Sequence, residues 1–303
     1  MSQRVVITEV GARDGLQNER AFIPTSAKLA FIKRLVEAGS RQIEVGSFVH
    51  PTWVPAMADT DELFQLLERA PGVRYLALVP NARGYERARR AGCDAVAVFT
   101  AASEGFARAN INTTIAQSLD TFRGIAGLAG SEGVAVRGYV STAFACPFDG
   151  PTAPERVVPI AEALLAMGCY EVSLGDTIGI ATPAHVDRLL SVVLKAVPAD
   201  RVVMHFHDTW GMGVANVLRA LDFGIRRFDA SAGGLGGCPF AKSATGNVAT
   251  EDIVYLLENL GYATGLDLEG IVAGVELLQP HLDHLLPSRV HRALRGKGAA
   301  PGN

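Results

Sequence analysis

Strand-like and helix-like segments alternate through almost the whole of this 303-residue chain, and that alternation narrows the fold more than any other feature. Short apolar, strand-like runs fall at residues 5–10, 42–47, 74–79, 95–100, 135–140, 171–174, 202–207 and 227–231. Helical patterns fill the gaps at 26–38, 61–70, 84–91, 114–129, 154–167, 183–196, 214–223 and 251–260. Several of them stop on glycine, as in Ala38-Gly39, Ala91-Gly92, Met167-Gly168 and Phe223-Gly224, the signal expected where a helix gives way to the next strand. Steady repetition of strand, helix and strand implies parallel strands joined by right-handed crossovers. Eight such units in about 260 residues predict a closed (β/α)8 barrel of TIM type. A doubly wound open sheet is the rival, weakened because no Gly-x-Gly-x-x-Gly follows the first strand. The chain is therefore read as one barrel domain over 1–303. The barrel occupies about 4–262, extra C-terminal helices lie within 266–295, and residues 296–303 form a mobile tail.

Composition excludes several roles. A formal net charge of -3 and the lack of a long basic run argue against nucleic acid or an anionic membrane surface as the main partner. Apolar stretches are short and interrupted, so no membrane-spanning helix is expected. The opening residues lead straight into Val5-Val6-Ile7 without the layout of a signal peptide. Cys93, Cys146, Cys169 and Cys238 are far apart and form no C-x-x-C, which fits a reducing cytoplasm and no disulfide framework.

In a barrel, polar residues at the carboxyl ends of the strands share one mouth. His205 and His207, one residue apart at the end of a strand, face the same way. They form either half of a divalent-metal site or a buried hydrogen-bonded pair. Asp14, in Gly11-Ala12-Arg13-Asp14-Gly15, is either a turn residue or a further ligand from the first strand. Asn247 offers an amide oxygen. Two imidazoles, a carboxylate and an amide oxygen suit Mg²⁺ or Mn²⁺, with Zn²⁺ or Co²⁺ as substitutes.

Arg13 would either neutralise Asp14 or stabilise an enolate. Glu44 and Asp176 each interrupt a strand or its end, to hold Arg13 or to bind substrate polar groups. Cys238, in Gly-Gly-Leu-Gly-Gly-Cys-Pro, is a tight-turn residue or a thiol that moves a proton. Glu251 is a carboxylate at a helix start or a support for Asn247.

Several longer motifs resemble the 3-hydroxy-3-methylglutaryl-CoA lyase family. They are EVGARDGLQNE at 9–19, IEVGSFVHPTWVPAM at 43–57, AASE at 101–104, VRGYVS at 136–141, GCYEVSLGDTIG at 168–179, HFHDT at 205–209 and GLGGCPFAKSATGNVATED at 234–252. The resemblance implies a metal set of Asp14, His205, His207 and Asn247, with Arg13 and Cys238 catalytic. It also places Glu44, Ser47, Arg137, Ser173, Asp176 and Glu251 along or behind the site, and Asn110 against the CoA moiety. It implies a divalent cation, an acyl-CoA substrate, a homodimer and retro-Claisen cleavage to acetyl-CoA and acetoacetate, as in leucine breakdown or ketone-body formation.

A lyase for a related 3-hydroxyacyl-CoA, such as citramalyl-CoA or 3-hydroxy-3-isohexenylglutaryl-CoA, would keep every one of these residues. A Claisen-type acyltransferase and a non-catalytic metal- or CoA-binding barrel are the remaining alternatives. The chain departs from the family pattern at Trp210 and Met212, at Ser47 to Trp53, and in the stretch 140–148. These places are expected to bear on which acyl-CoA fits.

Overall fold

The computed structural model describes residues 3–237 and 246–296. Eight parallel strands close into a barrel: β1 (Val6–Glu9), β2 (Gln42–Ser47), β3 (Arg74–Leu78), β4 (Ala95–Ala101), β5 (Ala135–Ser141), β8 (Val172–Asp176), β9 (Val202–Phe206) and β10 (Arg227–Ala230). Between β5 and β8 the chain adds a two-residue antiparallel hairpin, β6 (Ala145–Cys146) and β7 (Gly150–Pro151). The expected (β/α)8 barrel is the fold observed, with β1 pairing β10 to close the ring.

Helices α1 (Thr25–Glu37), α2 (Thr60–Leu66), α3 (Ala82–Arg90), α4 (Glu104–Ile111), α5 (Ile115–Glu132), α6 (Pro154–Ala166), α7 (Pro183–Val193), α8 (Gly213–Asp222) and α9 (Thr250–Asn259) lie between or after the strands. Local chemistry sets several of their starts. Thr114 and Gln117 form a capping box on α5, and the Asn81 side chain accepts from Gly84 N at 2.9 Å to begin α3. The apolar outer faces of the strands and the inner faces of the helices make one continuous core, with Phe31, Ile32 and Leu35 of α1 wholly buried against it. Helix α4 has no counterpart in the periodic pattern. Its eight residues, EGFARANI, carry only Phe106 and Ala107 as a buried face.

Two further helices follow the barrel, α10 (Leu268–Glu276) and α11 (Arg289–Gly296). Both lie in the stretch expected to hold extra helices, 266–295, with α11 running one residue past it. Pro280 and Pro287 interrupt the chain between them, which forms only a short 3₁₀ turn at Gln279–His281. Gly296, expected to open the tail, closes α11, and residues 297–303 lie outside the described residues. The segment leading to α11 is tied to the mouth of the barrel. Ser288 N donates to Gly233 O at 3.2 Å, and Asp252 of α9 accepts from Ser288 Oγ at 2.7 Å and Val290 N at 2.8 Å. Among the described residues no helix is long and apolar enough to cross a membrane.

Gly39 marks the place where α10 is fastened to α1. Asp267 N donates to Ala38 O at 2.7 Å, Gly39 has φ +101°, and a Cβ there would sit 2.2 Å from Gly265 O. Gly133 also has positive φ (+72°) but nothing within 4 Å of its would-be Cβ. In urea unfolding, Gly39→Ala should therefore cost more than about 2 kcal/mol, against about 1 kcal/mol for Gly133→Ala. Equal losses would show that the close approach to Gly265 contributes nothing.

Candidate metal centre and active site

Strand β1 hands over to a single π-helical turn, Gly11–Gly15, closed by Gly15 N donating to Val10 O at 3.1 Å. This wide turn brings Arg13 and Asp14 to the carboxyl-terminal mouth of the barrel. Glu9 pins it: one carboxylate oxygen accepts from Gly11 N (2.8 Å) and Ala232 N (2.9 Å), the other from Thr250 Oγ1 (2.7 Å). Burial pushes the Glu9 carboxyl up to about 7, although all three donors favour its charge.

Arg13 is held on two sides. Its Nε and Nη2 reach Glu44 Oε2 at 2.7 and 2.6 Å, and its Nη1 donates to Asp14 Oδ1 at 2.6 Å. Burial opposes its charge, but Glu44 and Asp14 more than offset this and keep the guanidinium protonated. Glu44 is wholly buried in β2, and burial raises its carboxyl in spite of Arg13 and Arg137.

The other oxygen of Asp14 faces the histidines. Asp14 Oδ2 lies 3.8 Å from His205 Nε2 and 3.7 Å from His207 Nε2, and Asn247 Nδ2 donates to it at 2.9 Å. Ligand atoms of Asp14, His205 and His207 all fall within 4.8 Å of one another. Burial would raise the Asp14 carboxyl, yet the Arg13 charge and the two histidines together hold it well below the usual carboxylate range. Burial likewise opposes protonation of both rings. It prevails at His207, while at His205 the Asp229 and Asp14 carboxylates overcome it.

The donor set fits a divalent cation. Three ligand atoms of mixed N and O character converge, and Asn247 Oδ1 is buried with no hydrogen-bond partner among the described residues. An isolated bridge between His207 and Asn247 brings the fourth expected ligand beside the others. The structure thus brings together the four residues expected at a metal site, although they lie up to 233 residues apart.

A cavity of about 1100 Å³ includes Arg13, Asp14, Tyr139, His205 and His207 in its wall and extends past Asn110 to Trp53 and Arg83. The expected residues divide between the wall and its support. Asn110 is in the wall. Ser47, Arg137, Ser173, Asp176 and Glu251 are buried and lie outside it. Ser173 Oγ donates to Asp229 Oδ2 at 2.7 Å. Arg137 donates to Tyr139 Oη (2.7 Å) and Asp229 Oδ1 (2.5 Å) and is ion-paired with Glu171 Oε1 at 2.8 Å. Asp176 accepts from Ile180 N and Ala181 N and so fixes the turn that carries Thr177 into the wall. Burial pushes its carboxyl up to about 7.

Glu251 takes Gly233 N on both oxygens, at 3.1 and 3.0 Å. It therefore anchors the glycine-rich loop rather than contacting Asn247, and burial pushes its carboxyl to about 7. Cys238 lies outside the described residues. Of the departures from the family pattern, Trp210 and Met212 are exposed and outside the wall. His50, Pro51, Trp53, Val140 and Ser141 are in it.

Asp229 is the residue that sequence reasoning missed. It is buried on β10, directly opposite His205 in the strand register, with Oδ2 3.3 Å from His205 Nδ1. A carboxylate inside the run Arg227-Phe228-Asp229-Ala230 was the available signal, on the same ground that singled out Glu44.

The comparisons with known proteins agree along the whole chain. Residues 4–277 match the family described as HMGL-like. The chain is 48% identical to a hydroxymethylglutaryl-CoA lyase of Pseudomonas mevalonii, over 98% of this chain and 99% of that protein. Among solved structures, a hydroxymethylglutaryl-CoA lyase from Pseudomonas aeruginosa superposes with a TM-score of 0.95 at 46% identity, covering 98% and 99% of the two chains. An HMG-CoA lyase from Acenitobacter baumannii, solved in complex with coenzyme A and 3-methylmalate, superposes with a TM-score of 0.93 at 38% identity, covering 99% and 98%. With barrel, ligand cluster and sequence likeness all spanning the same residues, the chain belongs to the hydroxymethylglutaryl-CoA lyase family.

Proposed function

We propose that this chain cleaves 3-hydroxy-3-methylglutaryl-CoA between C2 and C3, giving acetoacetate and acetyl-CoA. The observation that carries the proposal is the convergence of Asp14, His205, His207 and Asn247 beside Arg13 at one end of a barrel, in a family of such lyases. Those four residues would hold Mg²⁺ or Mn²⁺, which when bound orients substrate oxygens and draws off negative charge.

The chain's own groups account for the rest. Asp14 takes the proton of the 3-hydroxyl as the C2–C3 bond breaks. The bonding electrons move into the thioester, making an enolate. Arg13 cannot act as a base, and with Glu44 and Asp14 on two sides it is pre-positioned, with N–H donors left over for the enolate oxygen. Cys238 returns a proton to C2. The cavity, at about 1100 Å³, has room for an acyl-CoA, and Arg83, Arg87 and His50 in its wall suit the CoA phosphates. A homodimer in the cytoplasm completes this reading.

Three outcomes are expected. Purified protein should release acetyl-CoA from 3-hydroxy-3-methylglutaryl-CoA with Mg²⁺ or Mn²⁺, and lose this activity in excess chelator. Metal-loaded protein that releases none would move the assignment to another acyl-CoA. Arg13→Lys keeps the charge but loses the fork, so kcat should fall about 10²–10³-fold. An unchanged kcat would remove Arg13 from enolate stabilisation. Cys238→Ala should depress turnover far more than it alters Mn²⁺ binding, and undiminished turnover would exclude the thiol from proton transfer.

A further inference from the structure

The carboxylate of Asp229 uses both of its oxygens. Oδ1 accepts from Arg137 Nη2 at 2.5 Å, and Oδ2 accepts from Ser173 Oγ at 2.7 Å while lying 3.3 Å from His205 Nδ1. Paired with a guanidinium in a dry interior, this carboxylate is ionised and can only accept hydrogen bonds. His205 Nδ1 must then carry the hydrogen, because a lone pair there would face another lone pair. The Nε2 lone pair is left directed to the side where Asp14 Oδ2 stands at 3.8 Å. His207 has no such partner among the described residues: its Nδ1 is buried without a hydrogen bond.

The arrangement continues beyond Asp229. Arg137 Nη1 donates to Tyr139 Oη at 2.7 Å, the Tyr139 hydroxyl donates to Glu44 Oε2 at 3.2 Å, and that same oxygen holds Arg13. A single buried guanidinium therefore stands between the metal-facing histidine and the enolate-facing arginine.

We propose that Asp229, fixed by Arg137 and Ser173, is a positioning residue that sets His205 in its Nδ1–H form and so readies Nε2 for the metal. In the same circuit, Arg137 couples this to the placement of Arg13 through Tyr139 and Glu44. The inference rests on the metal assignment made above.

Free Mn²⁺ is counted by electron paramagnetic resonance in titrations without substrate, on the wild type and Asp229→Asn. Asp229→Asn should raise the Mn²⁺ dissociation constant about 10- to 100-fold, the range for removing a carboxylate behind a metal-bound histidine. No binding by the wild type would sink the metal site itself. Tight binding by the wild type that Asp229→Asn leaves within about threefold would overturn the positioning role alone.

Should Asp229→Asn fail to fold, ¹⁵N-histidine spectra of the metal-free wild type give a test that needs no variant at Asp229. Neutral His205 is expected to carry its proton on Nδ1, and a proton found on Nε2 overturns the inference.

Discussion

The site depends on a charge that this fold should find costly. Arg137 lies wholly buried inside the barrel, where an unpaired ion costs several kcal/mol after relaxation. It is tolerated because Glu171, Asp229 and the Tyr139 hydroxyl surround it, and Glu171 is shared with Arg227 at 3.0 Å. Most barrels of this type fill their interior with layers of branched apolar side chains. This one gives part of that space to ions and hydroxyls. Replacing such a group by well-packed hydrocarbon is often neutral or stabilising. What hydrocarbon cannot do is hold two other polar groups, His205 and Arg13, in one orientation each.

A second device recurs around the mouth. Glu9, Asp176 and Glu251 are buried carboxylates that accept backbone N–H groups from the loops beyond the strands. Each is pushed up to about 7 by burial, so each is held at a cost in charge desolvation. The return is positional. The turn with Arg13 and Asp14, the turn with Thr177 and the loop at Gly233 are all fastened to the body of the barrel by side chains rather than by strand pairing. Loops carry the chemistry in this fold, and loops lack a ladder to fix them. Carboxylates serve here in its place.

This explains where the sequence was legible and where it was not. Alternating segments predicted the barrel because period and stop signals are local. The grouping of Asp14 with His205 and His207 was legible because His205-x-His207 and the Arg13-Asp14 turn stand at strand ends, and strand ends share a mouth. Depth along the barrel axis is not local. A two-residue period says that Arg137 and Ser173 face inward, but not whether they reach the cavity or stop beneath it, and both stop beneath it. Asp229 shows the limit most clearly. Its partners lie 24, 56 and 92 residues away, and only the register of β10 against β9 puts it beside His205.

Selectivity follows from the same geometry. Trp210 and Met212 follow the histidine pair so closely in sequence that they invite a role in choosing the substrate, yet both are exposed and stand outside the cavity. Tyr139, Val140, Ser141, Gly175 and Thr177, at or just beyond the ends of β5 and β8, do share the wall with Asp14, His205 and His207. Thr142, just beyond, has φ +55°, an uncommon conformation for a branched residue. Its N–H donates to Thr177 Oγ1 at 2.7 Å and its carbonyl accepts from Thr152 Oγ1 at 2.7 Å. Backbone strain persists where surrounding bonds over-determine it. Here they hold Ser141 and Thr177 together in the cavity wall. A change in acyl preference within this family is therefore more readily made by altering the 139–142 and 175–177 segments than by altering the residues that follow His205 and His207.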